Sequence, residues 1–141
     1  MQTGIVGLPF SGKTTIHNSI TGSNIETGIN NTQASPNLGV AHVPDQRLKH
    51  LTKIYNPKKT IQAELMFSDI PVKRDGEIFY GENISHIQKM DALLVVVRAF
   101  TDESIPHISG SVDLERDLEK ITFDLIFSDI SLIDRRIINI Q

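Results

Sequence analysis

Apolar and polar positions follow distinct rhythms along the chain, and each rhythm predicts an element. Gly4-Ile5-Val6-Gly7 is a short apolar run ending in glycine, which suits a buried strand. Residues 13–21 place Ile16 and Ile20 four apart, on one face of a helix. Residues 22–36 are rich in Gly, Asn, Ser and Thr and read as a long loop. Leu38 to Val43 reads as a strand. After Pro44, Asp45 is placed to cap a helix carrying Leu48, Leu51 and Ile54, and Asn56-Pro57 stops it. Ile61, Ala63, Leu65 and Phe67 alternate as in an edge strand. Residues 70–83 form another loop. A short helix over roughly 83–91 then leads to Ala92–Val97, an unbroken apolar run expected at the centre of a parallel sheet. From Asp113 onward the pattern is helical, with Asp113, Glu115 and Asp117 in the first turn, where the helix dipole favours negative charge. This order predicts an α/β fold of three layers, a mostly parallel sheet with helices on both faces.

Composition narrows the function. The chain has 141 residues, enough for one domain with a real core. Fourteen basic against 17 acidic residues give a net charge of −3, which argues against a strongly basic nucleic-acid binder. Lys58-Lys59 and Arg135-Arg136 are small basic pairs and read as solvated surface. Without cysteine there is no disulfide, thiolate metal site or cysteine nucleophile. No apolar run approaches the ~20 residues needed to span a bilayer, and the first residues lack a signal-peptide pattern. A soluble cytoplasmic protein is the expectation, with no membrane partner.

One motif carries the chemistry. Gly7-Leu8-Pro9-Phe10-Ser11-Gly12-Lys13-Thr14 matches G-x-x-x-x-G-K-[ST] in full. A chance match in a chain of this composition has a probability of about one in two hundred. The motif also sits where a P-loop must sit, between an apolar strand and a helix. Its glycines admit backbone angles and close approaches that a side chain blocks. The amides of Phe10, Ser11, Gly12, Lys13, Thr14 and Thr15 are then expected to line an anion-sized hollow at a helix N-terminus. Lys13 is placed to reach the β- and γ-phosphates of a nucleoside triphosphate, and Thr14 to ligate Mg²⁺. Asp69 closes an apolar strand at its carboxyl end, as a Walker B aspartate does. A third metal ligand is expected in the first long loop, where Thr27 and Thr32 are both available and Thr32 is preferred. His17, just behind the motif, reads as a packing residue, Arg98 as a strand-end charge in solvent, and His107 as a structural loop residue.

These residues resemble the YchF/Obg-like ATPase family of translation-factor-class P-loop NTPases. The resemblance runs through Pro36-Asn37-x-Gly39-Val40, Val43-Pro44-Asp45-x-Arg47-Leu48, Phe67-Ser68-Asp69-Ile70 and Val96-Val97-Arg98-Ala99-Phe100. The string His107-Ile108-Ser109-Gly110-Ser111-Val112-Asp113 is the most family-specific piece. Three departures stand out. The family has Asn where this chain has Phe10, a residue associated in related NTPases with a monovalent cation. Its second switch reads Asp-Ile-Ala-Gly where this chain has Asp69-Ile70-Pro71-Val72 in a shorter loop. Its first-switch threonine falls on Gln33, one place from Thr32. Neither N-K-x-D nor N-x-x-E, the element that reads the base, occurs in the chain.

The resemblance implies binding of ATP or GTP with Mg²⁺, slow hydrolysis of the β–γ bond, and a ribosome or translation-factor partner. Nucleotide-dependent order in loops 22–36 and 70–83 would give the switch. A non-hydrolysing nucleotide-binding module, a small nucleoside or nucleotide kinase and a structural interaction domain are the alternative readings. The resemblance also implies that 1–141 is a partial nucleotide-binding domain, with 112–141 leading towards the family's helical hairpin. Ile130, Ile133 and Ile137 are expected to bury against the sheet. Leu132, Ile138 and Ile140 would then point elsewhere, against a second copy in a homodimer.

Overall fold

The protein is described here by a computed structural model, which covers residues 1–28, 35–73 and 75–140. Four strands form one sheet: β1 (Gln2–Val6), β2 (Asn37–His42), β3 (Glu64–Asp69) and β4 (Ala92–Val95), in the order β2-β3-β1-β4. The helices are α1 (Lys13–Thr21), α2 (Gln46–Tyr55), α3 (Gly81–Ile87) and α4 (Leu114–Ile138).

The α/β class is as expected, and the sheet is mixed, with two parallel pairings and one antiparallel. β1 runs parallel to β3 and β4, while β2 pairs antiparallel with β3. Two expectations about position are corrected. The alternating segment expected at an edge, β3, lies between β2 and β1, and its ordered pairing begins at Glu64, leaving Ile61 exposed. The apolar run expected at the centre, β4, pairs only with β1 among the described residues. Its Leu94 and Val95 are correspondingly part-exposed.

Local signals explain several boundaries. Asp45 accepts the Arg47 N–H at 2.8 Å and starts α2; Asn56, in a left-handed conformation, ends it. Asp113 accepts the Arg116 N–H at 3.1 Å and starts α4.

Helices cover both faces of the sheet. Gly39 on β2 lies beneath His17 and Thr21 of α1. Gly4, one residue out of phase with the Thr3–Phe67–Gly39 row, lies against Leu93 and Met90 on the other face. On that second face Val6, Leu8, Ile70 and Ile78 pack with Ile121 of α4, joined by Ile87 of α3. Burying one such aliphatic side chain is worth roughly 1.5–3 kcal/mol, so this cluster holds α3 and α4 to the sheet.

α4 departs most from expectation. Ile130, Ile133 and Ile137 do not bury against the sheet; they are 50%, 58% and 52% exposed. The reason lies in the first turns of the helix. Asp117, almost fully buried, accepts from His107 Nε2 at 2.9 Å and from the Arg116 guanidinium. That anchor, with Ile121 four residues on, fixes which side of α4 faces inward, and the three isoleucines fall on the opposite side. Although α4 has 25 residues, no helix among the described residues is long and apolar enough to cross a membrane.

Candidate nucleotide-phosphate site

The motif occupies the turn between the carboxyl end of β1 and the start of α1. A Cβ on Gly7 would lie 2.2 Å from the Val96 carbonyl oxygen, so only glycine lets the loop pass β4. Gly12 has φ +97°, a left-handed conformation that turns the chain into α1, and nothing lies within 4 Å of where its Cβ would be. The first backbone bond of α1 runs from the Ile16 N–H to the Gly12 carbonyl at 2.9 Å. The amides ahead of it belong to the helix's first turn, which has no carbonyl of its own to serve it.

A hollow of about 260 Å³ stands over this helix end. Its floor is Gly12, Lys13, Thr14, Thr15 and Asp69, and its apolar wall includes Ile70, Pro71, Val72, Phe100 and Ile105. Lys13 is the one cation among the described lining residues. It is 7% exposed, and its ammonium donates to the Leu8 carbonyl at 2.9 Å. Burial pushes its pKa down to about 8, while the Asp69 carboxylate pulls the other way. A buried ammonium beside the first-turn amides of a helix is a surface that suits an anion.

Thr14 and Asp69 come together as the sequence predicts. The Thr14 hydroxyl donates to Asp69 Oδ2 at 2.7 Å, across 55 residues of chain. Asp69 is 2% exposed at the end of β3, where register sets it opposite Ile5. A hydroxyl and a carboxylate side by side are hard oxygen donors of the kind Mg²⁺ prefers, with water and phosphate completing its shell. No group of three or more His, Asp or Glu residues suited to a metal exists among the described residues. The donor set therefore fits a nucleotide-borne Mg²⁺ rather than a cage made by protein alone.

The other expected residues fall unequally. Phe10 and Thr15 line the hollow. Phe10 holds φ +59°, a conformation unfavourable for a bulky side chain. Ser11 turns away: its side chain is buried towards Gly7, and its N–H points to the Leu8 carbonyl at 3.3 Å. Thr27 lines the hollow, whereas Thr32 and Gln33 lie outside the described residues. His17 packs as expected, fully buried beneath the sheet, with neither ring nitrogen hydrogen-bonded.

Two further residues shape the site and were misjudged or missed in the sequence. Arg98 is not in solvent but 2% exposed. Its guanidinium donates to the carbonyls of Phe100, Ile105 and Asp102 at 3.1, 3.0 and 3.3 Å, folding the loop that sets Phe100 and Ile105 against the hollow. Asn83, 3% exposed, donates to the Pro71 carbonyl at 2.7 Å and to that of Ile78 at 3.2 Å, pinning the segment after Asp69. A charge directly after an apolar strand was the available signal for Arg98; nothing local marks Asn83.

Known proteins resemble this chain in sequence and in fold. No protein-family model matches the chain. "Ribosome-binding ATPase YchF" of Bacillus subtilis (strain 168) is 41% identical over 146 aligned residues, covering 100% of this chain and 40% of that protein. The protein of the same name from Escherichia coli O157:H7 is 36% identical, covering 99% of this chain and 40% of its own. "Obg-like ATPase 1" of Oryza sativa subsp. indica is 35% identical, covering 100% and 37%. The solved YchF GTPase of Schizosaccharomyces pombe superposes with a TM-score of 0.74 at 34% identity, covering 96% of this chain and 38% of that one. The chain thus spans about 40% of the length of the curated relatives it matches. With its P-loop, its Thr14–Asp69 pair and this end-to-end likeness, the chain belongs to the YchF/Obg-like ATPase family, corresponding to the N-terminal part of its members.

Proposed function

We propose that residues 1–141 act as a nucleotide-binding unit that takes a purine nucleoside triphosphate with Mg²⁺ and hydrolyses its β–γ bond slowly. The observation that carries this is the buried Lys13 ammonium on the floor of the hollow, held by a single backbone carbonyl. A polyphosphate would supply the negative charge this ammonium lacks, and the first-turn amides of α1 would bind its oxygens. Thr14 and Asp69 would hold Mg²⁺, which neutralises charge on the β- and γ-phosphates. Attack by water on the γ-phosphorus would transfer the phosphoryl group and leave the nucleoside diphosphate. Lys13 and the loop amides would stabilise the charge that builds up on the transferred group. Among the described residues lining the hollow, Asp69 alone is a base that could take the water's proton, which accords with slow turnover.

The segments carrying Thr27 and Pro71-Val72 line the same hollow and would respond to the γ-phosphate, which gives a switch. Relatives named as ribosome-binding ATPases support a ribosomal partner for that switch. A second reading, binding without hydrolysis, is favoured by one observation. Asn83 pins the Pro71 carbonyl, and proline has no N–H to offer a γ-phosphate. Phosphate release from saturating Mg·ATP and Mg·GTP separates the readings. Slow release, lost in Lys13→Ala, supports the hydrolase. Tight binding without release supports the second reading, and absence of binding refutes both.

A further inference from the structure

Among the described residues, four carry buried side-chain polar atoms without a hydrogen-bond partner: Ser11, His17, Asn37 and Ser68. Ser11 is turned towards Gly7, and Ser68 is one residue out of phase with Asp69 on β3, so it faces the other side of the sheet. His17 lies against Gly39, further along β2. Asn37 differs from these in its place. It starts β2, and the register sets it directly opposite Asp69 at the end of β3.

Opposite residues of an antiparallel pair put their side chains on one face, with Cβ atoms about 4.5–5.5 Å apart. Asp69 faces α1, because the Thr14 hydroxyl reaches it. Asn37 therefore faces α1 as well, as does Gly39 two residues on, beneath His17 and Thr21. An amide nitrogen only donates and an ionised carboxylate only accepts, so the two side chains are complementary. Yet Asn37 Nδ2 is buried with its N–H groups unspent.

The Thr14–Asp69 bond supplies a reason. At present Asp69 Oδ2 is oriented by the hydrogen of the Thr14 hydroxyl. If both oxygens serve one cation, that hydrogen must turn away, and the carboxylate loses the bond that orients it. Carboxylates that ligate metals are held by hydrogen bonds from outer partners, and those partners set how well the metal is held. Asn37 Nδ2 is a donor free to take over.

We propose that Asn37 is a positioning residue for Asp69: its amide donates to the carboxylate when Thr14 and Asp69 hold Mg²⁺, and is without a partner when they do not. This role rests on the reading of the hollow as a Mg²⁺–nucleotide site. Asn37 is outside the lining of the hollow, so it acts through Asp69 and touches neither nucleotide nor cation.

Asn37→Leu keeps a branched side chain and removes the amide. The amide has no partner in the cation-free protein, so the unfolding midpoint in chelator should not fall. Binding of a fluorescent ATP analogue in chelator should also be unchanged. The Mg²⁺ concentration that half-maximally tightens that binding should rise about tenfold or more. The native chain gives an independent reading by nuclear magnetic resonance. The side-chain amide signals of Asn37, identified by their loss in Asn37→Ala, should shift with Mg²⁺ and nucleotide together but not with nucleotide in chelator. An unchanged Mg²⁺ requirement in Asn37→Leu overturns the role. So does an equal loss of affinity with and without Mg²⁺, a lower midpoint in chelator, or an Asn37 signal indifferent to Mg²⁺. A native chain that binds nucleotide no better with Mg²⁺ than without it removes the Mg²⁺ reading itself, and this role with it.

Discussion

The P-loop region and α4 bury different kinds of side chain. Around β1, α1 and β3, Ile5, Val6 and Leu8 are inside, and among them sit Lys13, His17 and Asp69, all under 10% exposed. Along the last turns of α4, Ile126, Ile130, Ile133 and Ile137 are exposed, while Asp124, Leu125, Ser128, Ser131 and Leu132 are half-buried. The P-loop sets a buried ammonium beside the first-turn amides of a helix, which suits an anion. A buried charge concentrated at one atom and an apolar stripe spread over four helical turns are surfaces of different kinds.

Buried polar groups must also be told apart within the first region. Arg98 makes three carbonyl bonds and organises the loop behind the hollow. Hydrogen bonds to charged groups contribute roughly 1.5–3 kcal/mol each, so Arg98→Ala should lower stability by more than about 3 kcal/mol. Denaturant unfolding reads this directly, and a loss below about 1 kcal/mol would mean that the loop is held by packing alone.

Lys13 acts on ligand rather than on fold. Lys13→Ala should weaken nucleotide binding about tenfold or more, the equivalent of roughly 1.5–3 kcal/mol. It should not lower the unfolding midpoint, because the ammonium it removes is desolvated.

His17 lies four residues from Lys13 and is also buried, yet both its nitrogens lack partners. An unmet buried polar group costs about 1–3 kcal/mol. His17→Phe should therefore raise stability by about 1 kcal/mol, the gain being trimmed by the close approach of Gly39 to the ring. A lower melting temperature would show that an internal water or proton serves this histidine.

Phe10 should give a smaller gain. Its φ of +59° suits asparagine better than phenylalanine. Phe10→Asn should add on the order of 1 kcal/mol or less to stability. The smallest effect concerns the base. The described residues lining the hollow offer Pro71, Val72, Phe100 and Ile105 but no side-chain amide or carboxylate beyond Asp69. ATP and GTP affinities should then agree within about tenfold. A preference of several hundredfold would reveal a base-reading group elsewhere in the chain.

The sequence made the first region legible because its signals are local. The motif needs its strand before it and its helix after it, and both are present. Asp45 and Asp113 mark their helices by hydrogen bonds that reach two or three residues. What stayed hidden depended on distant partners. Ala92–Val97 reads as a central strand, and nothing in the run itself says whether a neighbour lies beyond it. Ile61 keeps the alternation of β3 but lies before its pairing, which reaches back no further than the Ala63 carbonyl among the bonds described. In α4, apolar residues occur on more than one side, so periodicity could not choose the inward face; the buried His107–Asp117 contact chose it. Arg98 looked like a solvent charge because the carbonyls that receive it lie two to seven residues on, in a loop without regular pattern.

The central claim is that the P-loop region is a working phosphate site. Calorimetric titration of Mg·ATP into the native chain and into Lys13→Ala tests it most directly. The account predicts one nucleotide per chain for the native protein, weaker binding when Mg²⁺ is chelated, and an affinity at least about tenfold lower for the variant. Equal affinities for the two proteins, or no binding by the native chain, would contradict it.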